Sequence, residues 1–169
     1  MKIDQGTIIT AIFFLLIFSI PFILLYLSRR KREKQNLALL NREAGKNNLR
    51  ISKFNTWGNT SIGMDETANV VFFTKKTTDG DTGLQWAIAE TEKCRIANIK
   101  RTQSNEDGNY TLTEKLELVF EPRDKKKGEM AFPFFNMAYD GAMLTGELQQ
   151  AEKWCRIINE RITGLAQNK

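Results

Sequence analysis

Histidine is missing from all 169 residues of the chain. That absence removes Ser–His–Asp triads, histidine-assisted cysteine nucleophiles and histidine-bearing metal sites together. Cysteine is almost as scarce. Cys94 and Cys155 are the only two, and neither has a close-spaced companion, so no metal-ligand spacing or disulfide framework is visible. Two thiols suit a reducing compartment. Each lies on an apolar face of its segment and reads as a buried structural thiol, with a single long-range disulfide left open. The neighbourhood of Gly80 and Gly83 lacks the Lys and Ser or Thr of a nucleotide loop. Asp79 and Asp81 lack the spaced ligands and terminal Glu of a calcium loop, and read as a polar hairpin tip. No cofactor, metal or small-molecule substrate is expected.

Charge is absent from one long stretch. Ile8 to Leu27 contains no Asp, Glu, Lys or Arg, and as a helix it would rise roughly 30 Å, the thickness of a hydrocarbon core. A cleaved signal peptide would place basic residues before a shorter apolar run, whereas here they follow it. A buried core helix would keep a polar stripe, and this run is apolar all round. The expectation is therefore a short extracytoplasmic N-terminus over 1–7 and a transmembrane helix over 8–28, with Pro21 inside it. Arg29, Arg30, Lys31, Arg32 and Lys34 follow the helix, against Lys2 and Asp4 before it. Cytoplasmic flanks are the basic ones, so the C-terminal part is expected inside, with Tyr26 at the inner boundary and the protein in the cell inner membrane.

The net charge of +5 arises entirely before residue 49, where eight basic side chains face three acidic ones. The rest of the chain is neutral. The excess therefore serves topology and contact with lipid head groups, and offers no argument for nucleic acid.

After the apolar run, 29–48 reads as a basic, helical and solvated stalk and linker, broken by Ala44, Gly45, Lys46, Asn47 and Asn48. A domain is expected over 49–165, with a tail at 166–169. Asn69–Lys76 reads as a strand with its Val, Val, Phe, Phe run; Leu84, Trp86 and Ile88 alternate in a second. Cys94, Ile96 and Ile99 mark a third with a bulge, because the spacing slips by one. Leu116, Leu118 and Phe120 mark a fourth, Met130, Phe132 and Phe134 a fifth. Pro133 cannot donate to a ladder, which puts that last strand at an edge. From Gly146 to Arg161 the period becomes helical, with Leu148, Ala151, Trp154, Cys155, Ile158 and Ile162 on one face.

Short antiparallel strands closed by one C-terminal amphipathic helix, with Trp86 in a strand, the segment Glu92, Lys93, Cys94, Arg95 and Ile96, the late strand Leu116, Leu118, Val119, Phe120, and Trp154 in the closing helix, resemble a pleckstrin-homology-like domain. The whole chain resembles bacterial single-pass membrane proteins that carry one. The resemblance implies an α+β, mainly β fold: a bent antiparallel sheet or partly open barrel closed by the helix, with a binding role. Lipid-binding members cluster Lys and Arg in the loop after the first strand. That loop is expected here near Met64, Asp65, Glu66, Thr67 and Ala68, where two carboxylates would repel a phosphate.

The resulting expectation is a membrane-anchored, non-enzymatic binding or scaffolding module, an accessory subunit with a membrane or cytoplasmic protein partner; the alternative is recognition of anionic membrane lipid by the domain. Arg29, Arg30, Lys31, Arg32 and Lys34 are the candidate head-group contacts. Arg123, Lys125, Lys126 and Lys127, a basic hairpin tip, and Trp57, an aromatic beside a turn, are the further candidates for lipid or partner contact.

Overall fold

The computed structural model describes residues 5–77, 80–105 and 108–167, with side chains from Phe14 onward apart from that of Asn105. The first helix, α1 (Gln5–Gly45), is continuous and contains Pro21. From Phe14 to Leu27 its large apolar side chains are exposed. Among the described residues no helix is long and apolar enough to cross a membrane. Phe14–Leu27 rises only about 21 Å, and the side chains of the first six residues of the expected span, from Ile8, lie outside the described ones.

Residues 28–35 are exposed, as a stalk would be, but the next turns are not. Asn36, Leu40 and Ala44, one turn apart on one face, are buried together with Leu39. Leu40 and Ala44 pack on Phe72, with Leu49, Ile51 and Val70 around them. The second half of the expected stalk is thus part of the domain. Its end is a Schellman motif: Asn48 takes the left-handed conformation (φ 55°), the Leu49 N–H donates to Ala44 O at 3.1 Å, and the Asn48 N–H donates to Gly45 O at 3.1 Å.

Among the described residues seven strands follow, in two antiparallel sheets ordered β1-β2-β3-β4 and β5-β6-β7. The first comprises β1 (Lys53–Trp57), β2 (Thr60–Asp65), β3 (Val70–Thr77) and β4 (Gly80–Ala87); the second comprises β5 (Thr91–Asn105), β6 (Gly108–Pro122) and β7 (Met130–Asn136). The short helix α2 (Met137–Asp140) leads to the closing helix α3 (Glu147–Gln167). Two strands escaped the sequence reading, β1 and β2. The loop after the first strand is accordingly Gly58–Asn59; Met64 and Asp65 lie in β2 and pair with Val71 and Val70.

The apolar run of β3 now has a reason. Val71 and Phe73 face the main core, while Phe72 on the opposite face meets α1. With both faces covered, a strand needs no polar alternation. Gly63 of β2 lets α1 approach: a Cβ there would lie 2.8 Å from Leu40 Cδ2 and 2.9 Å from Ile51 Cγ2.

The main core lies between the two sheets and α3. Phe73 stacks on Phe132 and Phe134 at 5.3 and 5.7 Å, Phe120 meets Phe132 edge-on at 4.7 Å, and α3 contributes Ala151, Trp154, Ile158 and Ile162. Pro133 sits on β7, which pairs with β6 alone and is an edge strand. The slip in spacing after Ile96 corresponds to a register shift between Ile99 and Lys100.

A candidate binding cleft between the first helix and the first hairpin

Strand registers define two ends of the domain. At the near end, Trp57 pairs with Thr60 and the Lys76 N–H donates to Asn59 O; this end meets the start of the buried part of α1. At the far end, past which α1 terminates, lie the β2–β3 turn, the Ile88–Glu90 turn and the β6–β7 turn. They are linked through the Arg50 N–H to Asp65, the Ile88 N–H to Asn69 O and the Arg123 N–H to Glu90 O.

The near end holds a cleft. Arg29, Arg32, Glu33 and Asn36 recur at three- and four-residue spacing on α1 and therefore share a face. Opposite them stand Thr56, Trp57 and Gly58, with Thr145 at the rim, enclosing about 400 Å³. A second cavity of about 250 Å³ adjoins it, sharing Arg32, Trp57, Gly58 and Thr145 and adding Asp140 and Glu147. Asn36 is 2% exposed. Its Nδ2 donates to Gly58 O at 3.1 Å, but its Oδ1 has no hydrogen-bond partner among the described residues, and neither has Trp57 Nε1. Buried polar atoms are rarely left so, because each loses its hydration without replacement. Both atoms are closed to solvent and lie in the wall behind the cleft; what the cleft itself offers is two exposed guanidinium groups that have no ion-pair partner among the described residues.

The floor of the near end is built from charge that the sequence reading passed over. Lys75, 6% exposed on β3, donates from Nζ to Asp140 Oδ2 at 2.5 Å and to Pro133 O at 3.4 Å. The same carboxylate oxygen accepts the Asn136 N–H at 2.8 Å. Trp57 itself is half-buried, its ring 5.0 Å from that of Phe134.

Of the sequence-derived candidates, Arg29, Arg32 and Trp57 are brought together here. Arg30 turns elsewhere, over the Tyr26 ring at 4.9 Å, and Lys31 and Lys34 are exposed. Arg123, Lys125, Lys126 and Lys127 stand at the far end, away from the stalk's basic run. There Lys125 pairs with Glu92, and Lys127 pairs with Glu90 at 2.9 Å. These carboxylates hold both ammonium groups above their usual pKa and are themselves the matching partners; the Glu92 carboxyl is held below its usual value chiefly by Lys125. Asp65 is no phosphate repeller at a loop tip either. It is buried, and its carboxylate accepts the N–H groups of Ala68, Arg50 and Thr67, each at 2.9 Å, the hydrogen bonds to Ala68 and Arg50 lowering its pKa most. Asp79 of the aspartate pair lies outside the described residues, while Asp81 stands 4.0 Å from Arg42. Among the described residues no cluster of three metal-ligating side chains occurs.

No sequence signal marked Asn36 or Lys75, since both look like solvent-facing polar residues until α1 and α2 cover them. No family model matches the chain, and no curated protein and no solved structure matches it.

Proposed function

We propose that the chain is a single-pass membrane protein whose cytoplasmic pleckstrin-homology-like domain serves as a non-enzymatic binding module, an accessory subunit presented to a protein partner at the inner face of the bilayer. The observation that carries this reading is the continuity of α1. One helix displays exposed Phe, Leu and Ile side chains over Phe14–Leu27 and, without a break, buries Asn36, Leu40 and Ala44 in the domain. Counted from Ile8 in the sequence, the uncharged run is long enough as a helix for roughly 30 Å, a bilayer core. A domain docked on its own anchor stands at a fixed height and angle, which suits presentation of one surface and raises local concentration. The order of four strands, three strands and a closing helix supports the pleckstrin-homology-like reading. The test is purification of the full chain in mild detergent from its own host, with mass spectrometry of whatever accompanies it. A partner in fixed ratio supports the reading; a chain that emerges alone contradicts it.

A second reading is favoured by the two cleft guanidinium groups that have no ion-pair partner among the described residues: recognition of a phospholipid head group there rather than at the Arg123–Lys127 tip. On a spanning helix ending at Leu27, Arg29 and Arg32 stand about 3 and 8 Å further along the axis, within the head-group layer. A lipid phosphate suits the two guanidinium groups, and a head-group donor suits Glu33. Native mass spectrometry of the chain from lipid nanodiscs decides it. Retained phospholipid lost in R29A/R32A but kept when Lys125, Lys126 and Lys127 are neutralised supports the cleft, and the reverse pattern overturns it.

A further inference from the structure

Cys94 and Cys155 are 61 positions apart in the chain, on β5 and α3, yet they share one hydrogen-bonded cluster. The Cys155 thiol donates to Cys94 O at 3.3 Å. Asn159, one turn further along α3, holds both residues: its Oδ1 accepts the Cys94 N–H at 3.0 Å, and its Nδ2 lies 2.8 Å from Cys94 O and 3.5 Å from Cys155 Sγ. The cause is local. β5 is the outer strand of its sheet, so Cys94 presents unpaired backbone groups at an open edge, and the Asn159 amide pairs with them as a neighbouring strand would. This arrangement draws the half-buried Cys155 thiol onto Cys94. Cys94 itself is 1% exposed, and both thiols are reduced.

We propose that Cys94 and Cys155 are a reversible dithiol–disulfide pair, a modification site for peroxide-class oxidants that staples α3 to β5 when oxidised. Cys155 is the reactive partner and Cys94 the resolving one, because the first is partly accessible and the second is enclosed. The two thiols also differ in acidity. The neighbouring Cys94 thiol, with help from Asn159 and the charge of Lys93, lowers the Cys155 pKa. Its contact with Cys155, together with burial, raises that of Cys94. A thiolate is the nucleophile in such chemistry. In the first step the Cys155 thiolate attacks one oxygen of hydrogen peroxide; the S–O bond forms, the O–O bond breaks, and the departing hydroxide takes up the proton released from the thiol as water. Sulfur is oxidised and peroxide reduced by two electrons. Cys94 sulfur then attacks Cys155 sulfur, the S–S bond forms, the S–O bond breaks, and the hydroxide leaves with the Cys94 proton as a second water.

The experiment is titration of the reduced full chain with hydrogen peroxide, followed by intact mass, peptide mapping and dimedone trapping of sulfenic acid. The expected result is loss of two hydrogens, a single Cys94–Cys155 linked peptide, and full reversal by dithiothreitol, with the oxidised chain melting at least about 5 °C higher because the closed loop is long. C94S is expected to accumulate dimedone-reactive sulfenic acid at Cys155, and C155S to react at least tenfold more slowly than the wild type. Oxidation of the wild-type chain to sulfenic or sulfinic acid without a linked peptide overturns the proposal, whether or not either variant folds. So does a wild-type chain whose thiols both survive the peroxide that oxidises free cysteine under the same conditions.

Discussion

At the far end of the domain Lys125, Lys127, Arg95 and Arg161 are each tied to oxygens of the same chain, whereas at the near end Arg29 and Arg32 line a cleft and have no ion-pair partner among the described residues. A count of basic residues treats the two ends alike, with five Lys or Arg in the six residues 29–34 and four in the five residues 123–127. The contrast teaches that a basic cluster signals a ligand only after its internal carboxylates have been subtracted. At the far end Glu90, Glu92, Glu121 and Glu129 perform that subtraction.

The comparison can be broken most strongly at the Lys75–Asp140 pair beneath the cleft. Lys75→Ala leaves the Asp140 carboxylate without its cation in a half-buried site, and is expected to cost about 3 kcal/mol in chemical denaturation; a loss below about 1 kcal/mol would make the pair incidental. Next in size is Gly63→Ala, whose Cβ would meet Leu40 and Ile51 and press α1 off the sheet. An expected loss of about 2 kcal/mol, accompanied by faster amide exchange over residues 36–44, would show that α1 is docked rather than tethered.

At the far end, Asp65 supplies a pH signature. Its three backbone N–H donors lower its pKa below the ordinary 3.8, so the unfolded chain binds the proton more readily than the folded one. The stabilisation it provides is present above that ordinary value and is lost as pH falls through the lower folded one. Asp65→Asn should therefore flatten the stability curve below about pH 4, as read by urea melts at stepped pH. An unchanged curve would assign the acid sensitivity elsewhere. The smallest effects sharpen the contrast itself. Arg29→Ala combined with Arg32→Ala removes two exposed cations of the cleft, and should leave the melting temperature unchanged while weakening phospholipid retention several-fold. Neutralising Lys125 and Lys127, whose ion pairs are exposed to solvent, should change neither property.

Much of the second half of the chain was legible. Pro133 placed β7 at an edge because a residue without an N–H fits only there, the spacing slip near Ile99 marked a bulge, and the face from Leu148 to Ile162 announced α3. The α+β class with mainly antiparallel strands followed from these. The first half was harder, for one physical reason: α1 covers the outer face of the first sheet. Beneath a helix, β2 sets Gly63 against α1 for closeness, and only Ile62 and Met64 carry its other face into the core, an alternation too short to stand out. The same cover explains the consecutive Val70, Val71, Phe72 and Phe73, and turns Leu39 and Leu40 from a weak strip on a stalk into buried contacts. Arg29, Arg32 and Trp57 were legible as candidates one by one. Their meeting in a single cleft depends on the docking of α1, which local sequence does not encode.

Everything proposed for the near end depends on α1 crossing the bilayer with the domain fixed to its inner end. The most direct test is alkaline carbonate extraction of membranes from cells producing the full chain, followed by protease treatment of intact and of inverted vesicles. The account predicts a chain that stays with the membrane until detergent is added and a domain that is digested only in inverted vesicles. Release into the carbonate supernatant, or digestion from the outside of intact vesicles, would contradict it.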